Sequence, residues 1–229
     1  MEASTGTVLF SKNGDKQFYP ASITKLMTAL LVAERLNLDS SVTFSAEATT
    51  NLEAGAVSIN MTAGDELTVR QCLYALLLKS ANEVGNALAE AVAGSNQAFA
   101  QLMNEKAAEL GCTNTHFTNP HGLHNENHYS SARDMITITQ YAMGLPYFTE
   151  ITGTTTYNYY PQQDPEDIRS ANTTNRMLTN YASDGGSYYY PYATGIKTGS
   201  HDQAGYCIVA SATYEGYTYI VCCLGCPSV

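Results

Sequence analysis

Three short motifs constrain this chain more than any other feature: Ser22-Ile-Thr-Lys25, Ser80-Ala-Asn82 and Lys197-Thr-Gly199, in that order. Each string alone is common. Together they ask for a fold in which a helix start, a turn between two helices and a C-terminal strand converge on one cleft. The chemistry they describe is acyl transfer from an active serine that uses lysine where other serine enzymes use histidine.

The local patterns place each motif on a suitable element. Ser22 to Leu36 reads as a helix, with Leu26, Ala29, Leu30 and Ala33 at helical spacing. A second helix is expected from Asp65, broken at Ser80-Ala-Asn82 and resumed over Val84–Val92, where Gly94 ends it. Ser95–Leu110 is a further amphipathic helix stopped by Gly111, and Ser131-Ala-Arg-Asp134 has the pattern of a capping box opening a helix to about Met143. Gly6–Ser11 is expected to be a strand, followed by a hairpin turn at Lys12-Asn-Gly-Asp15. Gly195–Gly199, Ala204–Thr213 and Tyr217–Leu224 are three more strands. Residues 112–129 read as loop, and 144–194 as irregular, polar and tyrosine-rich. Strands at both termini then share one sheet, with a helical lobe between them.

Ser22 and Lys25, three residues apart at a helix start, share a face. A serine hydroxyl needs a base to take its proton, and lysine can be that base only when neutral. Burial or a second cation must therefore depress its ordinary value of about 10.4. Lys197 supplies such a cation if the motifs meet. The Ser22 N–H, at the positive end of the helix, can face a developing oxyanion. Ser80 can relay the proton to a leaving amine, and Asn82 can hold a substrate carbonyl and orient Lys25. Lys197 and Thr198 offer a cation and a hydroxyl to a carboxylate, Gly199 lets another backbone approach the strand, and Ser200 supplies a second oxyanion N–H. Plainer readings exist for each: Ser22 as a cap, Ser80 or Asn82 capping the next helix, and Lys197 as a surface lysine on an edge strand.

Composition excludes several other classes. With 11 basic against 21 acidic residues, the chain has a formal net charge of -10 and lacks the clustered cations that a nucleic acid needs. No apolar run is long enough to span a membrane. Met1 leads into Glu2-Ala-Ser-Thr without the basic and apolar regions of a signal peptide, and membrane attachment is not encoded in the chain. Six cysteines include Cys223-Leu-Gly-Cys226, whose flanks read as a strand end, so buried thiols are expected rather than a redox or metal site. His121, His124 and His128 match no metal-ligand spacing on one firm helix, and no phosphate loop is present. No metal and no cofactor are expected. Tyr188–Tyr192 is read as a tyrosine-rich loop before the Lys197 strand.

On these motifs the chain resembles the serine-type D-alanyl-D-alanine carboxypeptidases, the low-molecular-weight penicillin-binding proteins of peptidase family S11. The likeness extends over Tyr19–Thr28, Leu110–Phe117, Asn119–Leu123, Tyr129–Met135, Thr174–Leu178 and Gly195–Tyr206, nearly the whole chain. It implies an α+β (α/β sandwich) architecture, the penicillin-binding protein and serine β-lactamase-like fold: a mainly antiparallel sheet from both termini, flanked by helices, plus an all-helical lobe. One catalytic domain over residues 1–229 is expected, with roughly 40–145 forming the helical lobe inserted between the two parts of the sheet. The family continues beyond both ends of this chain, through an outer strand before it and a basic segment and helix after it.

Carried over by position, the resemblance makes Ser22 the acylated nucleophile, Lys25 its base and Ser80 the second catalytic element. Asn82, Lys197, Thr198, Gly199 and Ser200 bind substrate, and His121 and Asp134 take supporting places. The implied reaction removes the terminal D-Ala of a peptidoglycan stem peptide through an acyl-enzyme, and β-lactam antibiotics acylate the same serine. An extracytoplasmic location follows from the same likeness. The alternatives are a serine β-lactamase, for which Glu150 or Glu166 would have to activate the deacylating water, a D,D-endopeptidase, and a non-turnover penicillin sensor or wall-binding module.

Overall fold

The computed structural model describes residues 1–50, 52, 56–180 and 188–228. Its centre is α1 (Lys25–Arg35), entered through a 3-10 turn at Ala21–Thr24. Every residue from Lys25 to Val32 is buried. A helix enclosed on all sides belongs to the middle of a domain. The strands β1 (Gln17–Phe18), β2 (Ser41–Thr43) and β3 (Glu66–Thr68) are short, and α2 (Ala46–Thr50) lies between β2 and β3.

The helix expected from Asp65 begins later. Residues 66–68 pair with β2 as β3, and α3 (Val69–Tyr74) starts behind a complete Thr68–Gln71 capping box. It widens into a π turn at Ala75–Lys79 and stops at Ser80, whose φ of 70° is left-handed. The chain resumes at α4 (Asn82–Ala93), ended by a left-handed Gly94, and α5 (Asn96–Glu109), capped by Ser95. The break at Ser80–Asn82 therefore falls where the motif placed it. Two helical directions meet there, so side chains two apart can both enter one cleft.

After β4 (Ser130–Ser131), α6 (Ala132–Met143) packs against α1 and the sheet. Its capping box is half formed. Ser131 Oγ accepts from the Asp134 N–H at 3.1 Å, but the Asp134 carboxylate turns away to accept from the Asn114 N–H at 2.8 Å and Thr115 Oγ1 at 2.7 Å.

The region read as irregular is more ordered than expected. It holds α7 (Phe148–Gly153) and a hairpin of β5 (Thr156–Tyr159) with β6 (Arg169–Asn172), whose Ala171 and Tyr159 join the core. Four-residue strands flanked by polar turns leave too little periodicity to read. In the tyrosine-rich segment, Tyr188, Tyr190 and Tyr192 are exposed, Tyr188 lies against Arg176, and Tyr192 meets Tyr214 edge-on.

The main sheet is antiparallel in the order β7 (Ala193–His201), β8 (Gly205–Tyr214), β9 (Tyr217–Cys226). Glu215 and Gly216, both at positive φ, turn β8 into β9, as a two-residue hairpin requires. The N-terminus reaches this sheet only at its first residues: Glu2 bridges Tyr219, and the Ala3 N–H donates to Thr218 O at 2.8 Å. The strand expected at Gly6–Ser11 does not form. A cavity of about 850 Å³ separates Val8–Asn13 from the rest of the β9 edge, and Val8, Leu9 and Phe10 are exposed. Without a neighbour within hydrogen-bonding distance, an apolar run cannot become a strand.

The six cysteines are unbridged. Cys223 and Cys226 flank a bulge in β9, where Gly225 has positive φ and a Cβ would press on the Phe18 ring at 2.8 Å. Burial pushes the thiols of Cys72, Cys112, Cys207 and Cys222 up, which suppresses thiolate chemistry. The pair expected to be buried is not: Cys223 is exposed and Cys226 half-buried, because this end of β9 faces outward past the bulge. Among the described residues no group of His, Cys, Asp or Glu could hold a metal ion, and no helix is long and apolar enough to cross a membrane.

Candidate active site

Ser22 sits in the 3-10 turn, half-buried, one residue after Ala21, which holds a strained φ of 49°. The turn is gripped from two sides. On one side β7 crosses it so closely that a Cβ at Gly199 would lie 2.6 Å from the Ser22 nitrogen and 2.9 Å from that of Ile23. On the other, a Cβ at Gly122 would overlap the Ala21 carbonyl. Two glycines thus let strand and loop touch the backbone that carries the serine.

Lys25, the first residue of α1, lies one turn after Ser22 and is fully buried. Its Nζ is 3.0 Å from Ser22 Oγ, 2.7 Å from Asn82 Oδ1 and 2.7 Å from the His121 carbonyl oxygen. A neutral lysine has two N–H donors and one lone pair. Asn82 and His121 take the two donors, and the lone pair is left for the Ser22 hydroxyl. Burial holds the Lys25 ammonium well below its ordinary value, the Lys197 charge adds to the depression, and Glu83 opposes it.

Lys197 is also buried, and burial pushes its ammonium down to about 7. Its Nζ donates to the Thr198 carbonyl at 2.9 Å, and Thr198 Oγ1 lies 2.6 Å from Thr174 Oγ1. Ser200 follows on the same strand, exposed, in register with Tyr206. Ser80 Oγ is buried and has no hydrogen-bond partner among the described residues. The fold therefore brings Ser22, Lys25, Asn82 and the His121 carbonyl into one hydrogen-bonded cluster, with β7 against it.

His121 contributes its backbone oxygen rather than its ring. The ring Nδ1 accepts from the Leu123 N–H at 3.2 Å, and burial, with Lys25 and His128 nearby, pushes the imidazole down to about 3. Asp134 lies outside the cluster and fixes residues 114–115. His128, tempting as a metal ligand by sequence, is a fastening for the nucleophile turn. Its Nε2 meets Thr24 Oγ1 at 2.8 Å while Nδ1 accepts from the Thr118 N–H at 3.0 Å. Burial pushes it down to about 3, so the ring is neutral. Sequence reasoning missed this role, together with those of Gly122 and Thr174, because each acts across a long sequence separation.

The carboxylates that a β-lactamase reading requires are engaged elsewhere. Glu150 Oε1 accepts from the Tyr74 hydroxyl at 3.1 Å on α7, and Glu166 is exposed in the turn before β6. Neither belongs to the Ser22 cluster.

The chain is similar to known proteins along almost its whole length. The D-alanyl-D-alanine carboxypeptidase family profile, peptidase S11, matches residues 1–228. The chain is 37% identical over 215 residues to the D-alanyl-D-alanine carboxypeptidase DacF of Bacillus subtilis, covering 93% of this chain and 52% of the relative, so it spans about half of that protein's length. It is 34% identical to the D-alanyl-D-alanine carboxypeptidase of Streptomyces sp. K15, covering 100% of this chain and 80% of the relative. The crystal structure of the Streptomyces K15 DD-transpeptidase superposes with a TM-score of 0.90 at 33% identity, covering 100% of this chain and 88% of that one. With the Ser22–Lys25–Asn82 cluster, the close crossing of Lys197-Thr-Gly199 and a match along almost its entire length, this chain belongs to the D-alanyl-D-alanine carboxypeptidase family, peptidase S11.

Proposed function

We propose that the chain is a serine D,D-carboxypeptidase that removes the terminal D-Ala from peptidoglycan stem peptides and is acylated at Ser22 by β-lactams. The observation that carries this reading is the disposition of Lys25: a buried amine with two acceptors for its N–H groups and its third direction aimed at Ser22 Oγ at 3.0 Å.

In the first step the substrate lies along β7, its terminal carboxylate at Lys197 and Thr198. Lys25 takes the Ser22 proton as Oγ adds to the penultimate D-Ala carbonyl. The N–H groups of Ser22 and Ser200 stabilise the oxyanion. Lys25 returns that proton through the Ser80 hydroxyl, which gives its own hydrogen to the departing amine and regains one from Lys25, as the C–N bond breaks; D-Ala leaves and Lys25 is neutral again. In the second step Lys25 takes a proton from water as it adds to the ester, and Ser22 regains its hydrogen when the tetrapeptide departs. Asn82 offers its amide N–H to the substrate's backbone carbonyl while its Oδ1 holds Lys25. Gly199 provides the clearance, and His121 and Asp134 are supporting residues.

The domain reading is retained: one catalytic domain over 1–229 with a helical lobe at roughly 40–145. Acting on peptidoglycan implies an extracytoplasmic site of action. The likeness to a protein called a DD-transpeptidase favours one second reading, in which an amine rather than water resolves the acyl-enzyme.

The experiment is D-alanine release from a synthetic peptide ending in D-Ala-D-Ala, with wild type and Ser22→Ala side by side and an amine acceptor added in a parallel arm. Many turnovers in wild type and none in the variant are expected. At most one equivalent from wild type would indicate a sensor, and turnover only with the amine would indicate a transpeptidase.

A further inference from the structure

Glu83 takes no part in the steps above, yet it adjoins Asn82 and is fully buried in the first turn of α4. A carboxylate withdrawn from water is costly unless hydrogen bonds or positive charge compensate it. Its Oε1 accepts from Ser58 Oγ at 2.6 Å and from the Ile59 N–H at 2.6 Å, whereas Oε2 has no hydrogen-bond partner among the described residues.

These bonds fasten Val57–Ile59 across the start of α4. The helix has no side-chain cap, and the Val57 carbonyl accepts from the Asn82 N–H at 2.8 Å, taking over one of the donors a helix start leaves free. On the far side the Ile59 carbonyl accepts from Arg169 Nη1 at 3.2 Å, and Arg169 Nη2 donates to Asp167 at 2.6 Å. Residues 57–59 thus form a strap tied to α4 at one side and to β6 at the other. Asn82 is itself part of the α4 tie, and its Oδ1 holds Lys25.

The charges around Lys25 are few. Lys25 comes from α1 and Lys197 from β7, both amines that burial pushes down, while the His121 ring is neutral. On the β5–β6 side stand Tyr159 and the Arg169–Asp167 pair. α4 contributes Glu83, which acts on Lys25 in the opposite sense to Lys197.

We propose, on the active-serine reading above, that Glu83 is a positioning residue for acyl transfer: it ties the Val57–Ile59 strap over α4, so fixing Asn82, and supplies a buried negative charge to Lys25. The two roles separate by substitution. Glu83→Gln keeps the reach and removes the charge. Glu83→Asp keeps the charge and loses the reach. Ser58→Ala, at a partly exposed position, loosens the strap and alters no charge.

The test is the rate of acylation by a fluorescent penicillin as a function of pH, with intact-mass detection of the adduct. For Glu83→Gln the acid limb should move to lower pH by about half a unit or more, because without the carboxylate Lys25 binds its proton less firmly. For Glu83→Asp the limb should stay while the plateau falls about tenfold, and for Ser58→Ala the plateau should fall by a smaller factor with the limb unmoved. A merely structural Glu83 would lower rates at all pH values and leave the limb in place. An unmoved limb in Glu83→Gln overturns the proposal. Wild-type plateaus in both Glu83→Asp and Ser58→Ala also overturn it, and these two variants decide the strap even if Glu83→Gln fails to fold. A wild type that takes no label overturns the active-serine reading itself, a result distinct from either.

Discussion

Lys25 Nζ and Ser22 Oγ lie 3.0 Å apart, and the other two short contacts of that amine, to Asn82 Oδ1 and His121 O at 2.7 Å, both go to acceptors. The amine can therefore face the serine hydroxyl with its lone pair while losing no hydrogen bond. A base of this kind must be able to lose its proton, which an arginine cannot do near neutral pH. Lys25→Arg should lower the rate of acylation by a β-lactam about 10²–10⁴-fold. Stopped-flow labelling checks this, with circular dichroism to confirm the fold.

Gly199 is fixed by clearance. A Cβ there would stand 2.6 Å from the Ser22 nitrogen, backbone that has no room to yield. Gly199→Ala should push β7 off the nucleophile turn and cost about 10²-fold in kcat/KM for D-alanine release, since displacements near 1 Å are enough for that. Retained activity would show that strand and turn are less tightly apposed.

His128 and Asp134 should act on stability before chemistry. Replacing His128 by Phe leaves Thr24 Oγ1 and the Thr118 N–H unpaired in a buried place. Asp134→Ala removes the acceptor of the half-buried Asn114 N–H and one of the two partners of Thr115 Oγ1, which keeps Ser130 Oγ. Each should cost about 1–3 kcal/mol in chemical denaturation. At temperatures where the variants stay folded, the loss of activity should be far smaller than for Lys25→Arg, and smaller for Asp134→Ala than for His128→Phe, because only His128 touches the turn that carries Ser22.

Lys197 predicts a stability slope. Its folded value of about 7 lies below the ordinary 10.5 that it regains on unfolding. Between those values the unfolded chain binds the proton and the folded one does not, so this group makes stability rise with pH from about 7 to 10 and level off above. Lys197→Met should flatten that rise in urea titrations and abolish recognition of the substrate carboxylate, seen as a raised KM. An unchanged slope would mean that Lys197 keeps an ordinary value when buried.

Much of this was legible in the sequence because the chemistry sits in short local strings. Ser22 and Lys25 are one helical turn apart, Ser80–Asn82 coincides with a helix break, and Lys197–Gly199 lies on a strand bracketed by glycines. The three C-terminal strands and most helices announce themselves by periodicity and by end signals such as Gly94 and Ser95. What escaped was long-range. The β5–β6 hairpin is too short to show a period, and Gly6–Ser11 reads as a strand from its apolar run Val8-Leu-Phe10 but finds no partner edge. The Asp134 carboxylate prefers the Asn114 N–H to its own helix start. His128, Gly122 and Glu83 matter through contacts with residues 24 to 104 positions away, which no local pattern encodes.

The central claim is that Lys25 works as a free amine beside Ser22, and the pH dependence of wild-type acylation by a penicillin tests it most directly. The rate should rise to its plateau well below pH 10.5, the ordinary lysine value, because burial and the Lys197 charge depress Lys25. A rate that keeps climbing to about pH 10, as an ordinary lysine would require, would contradict the account.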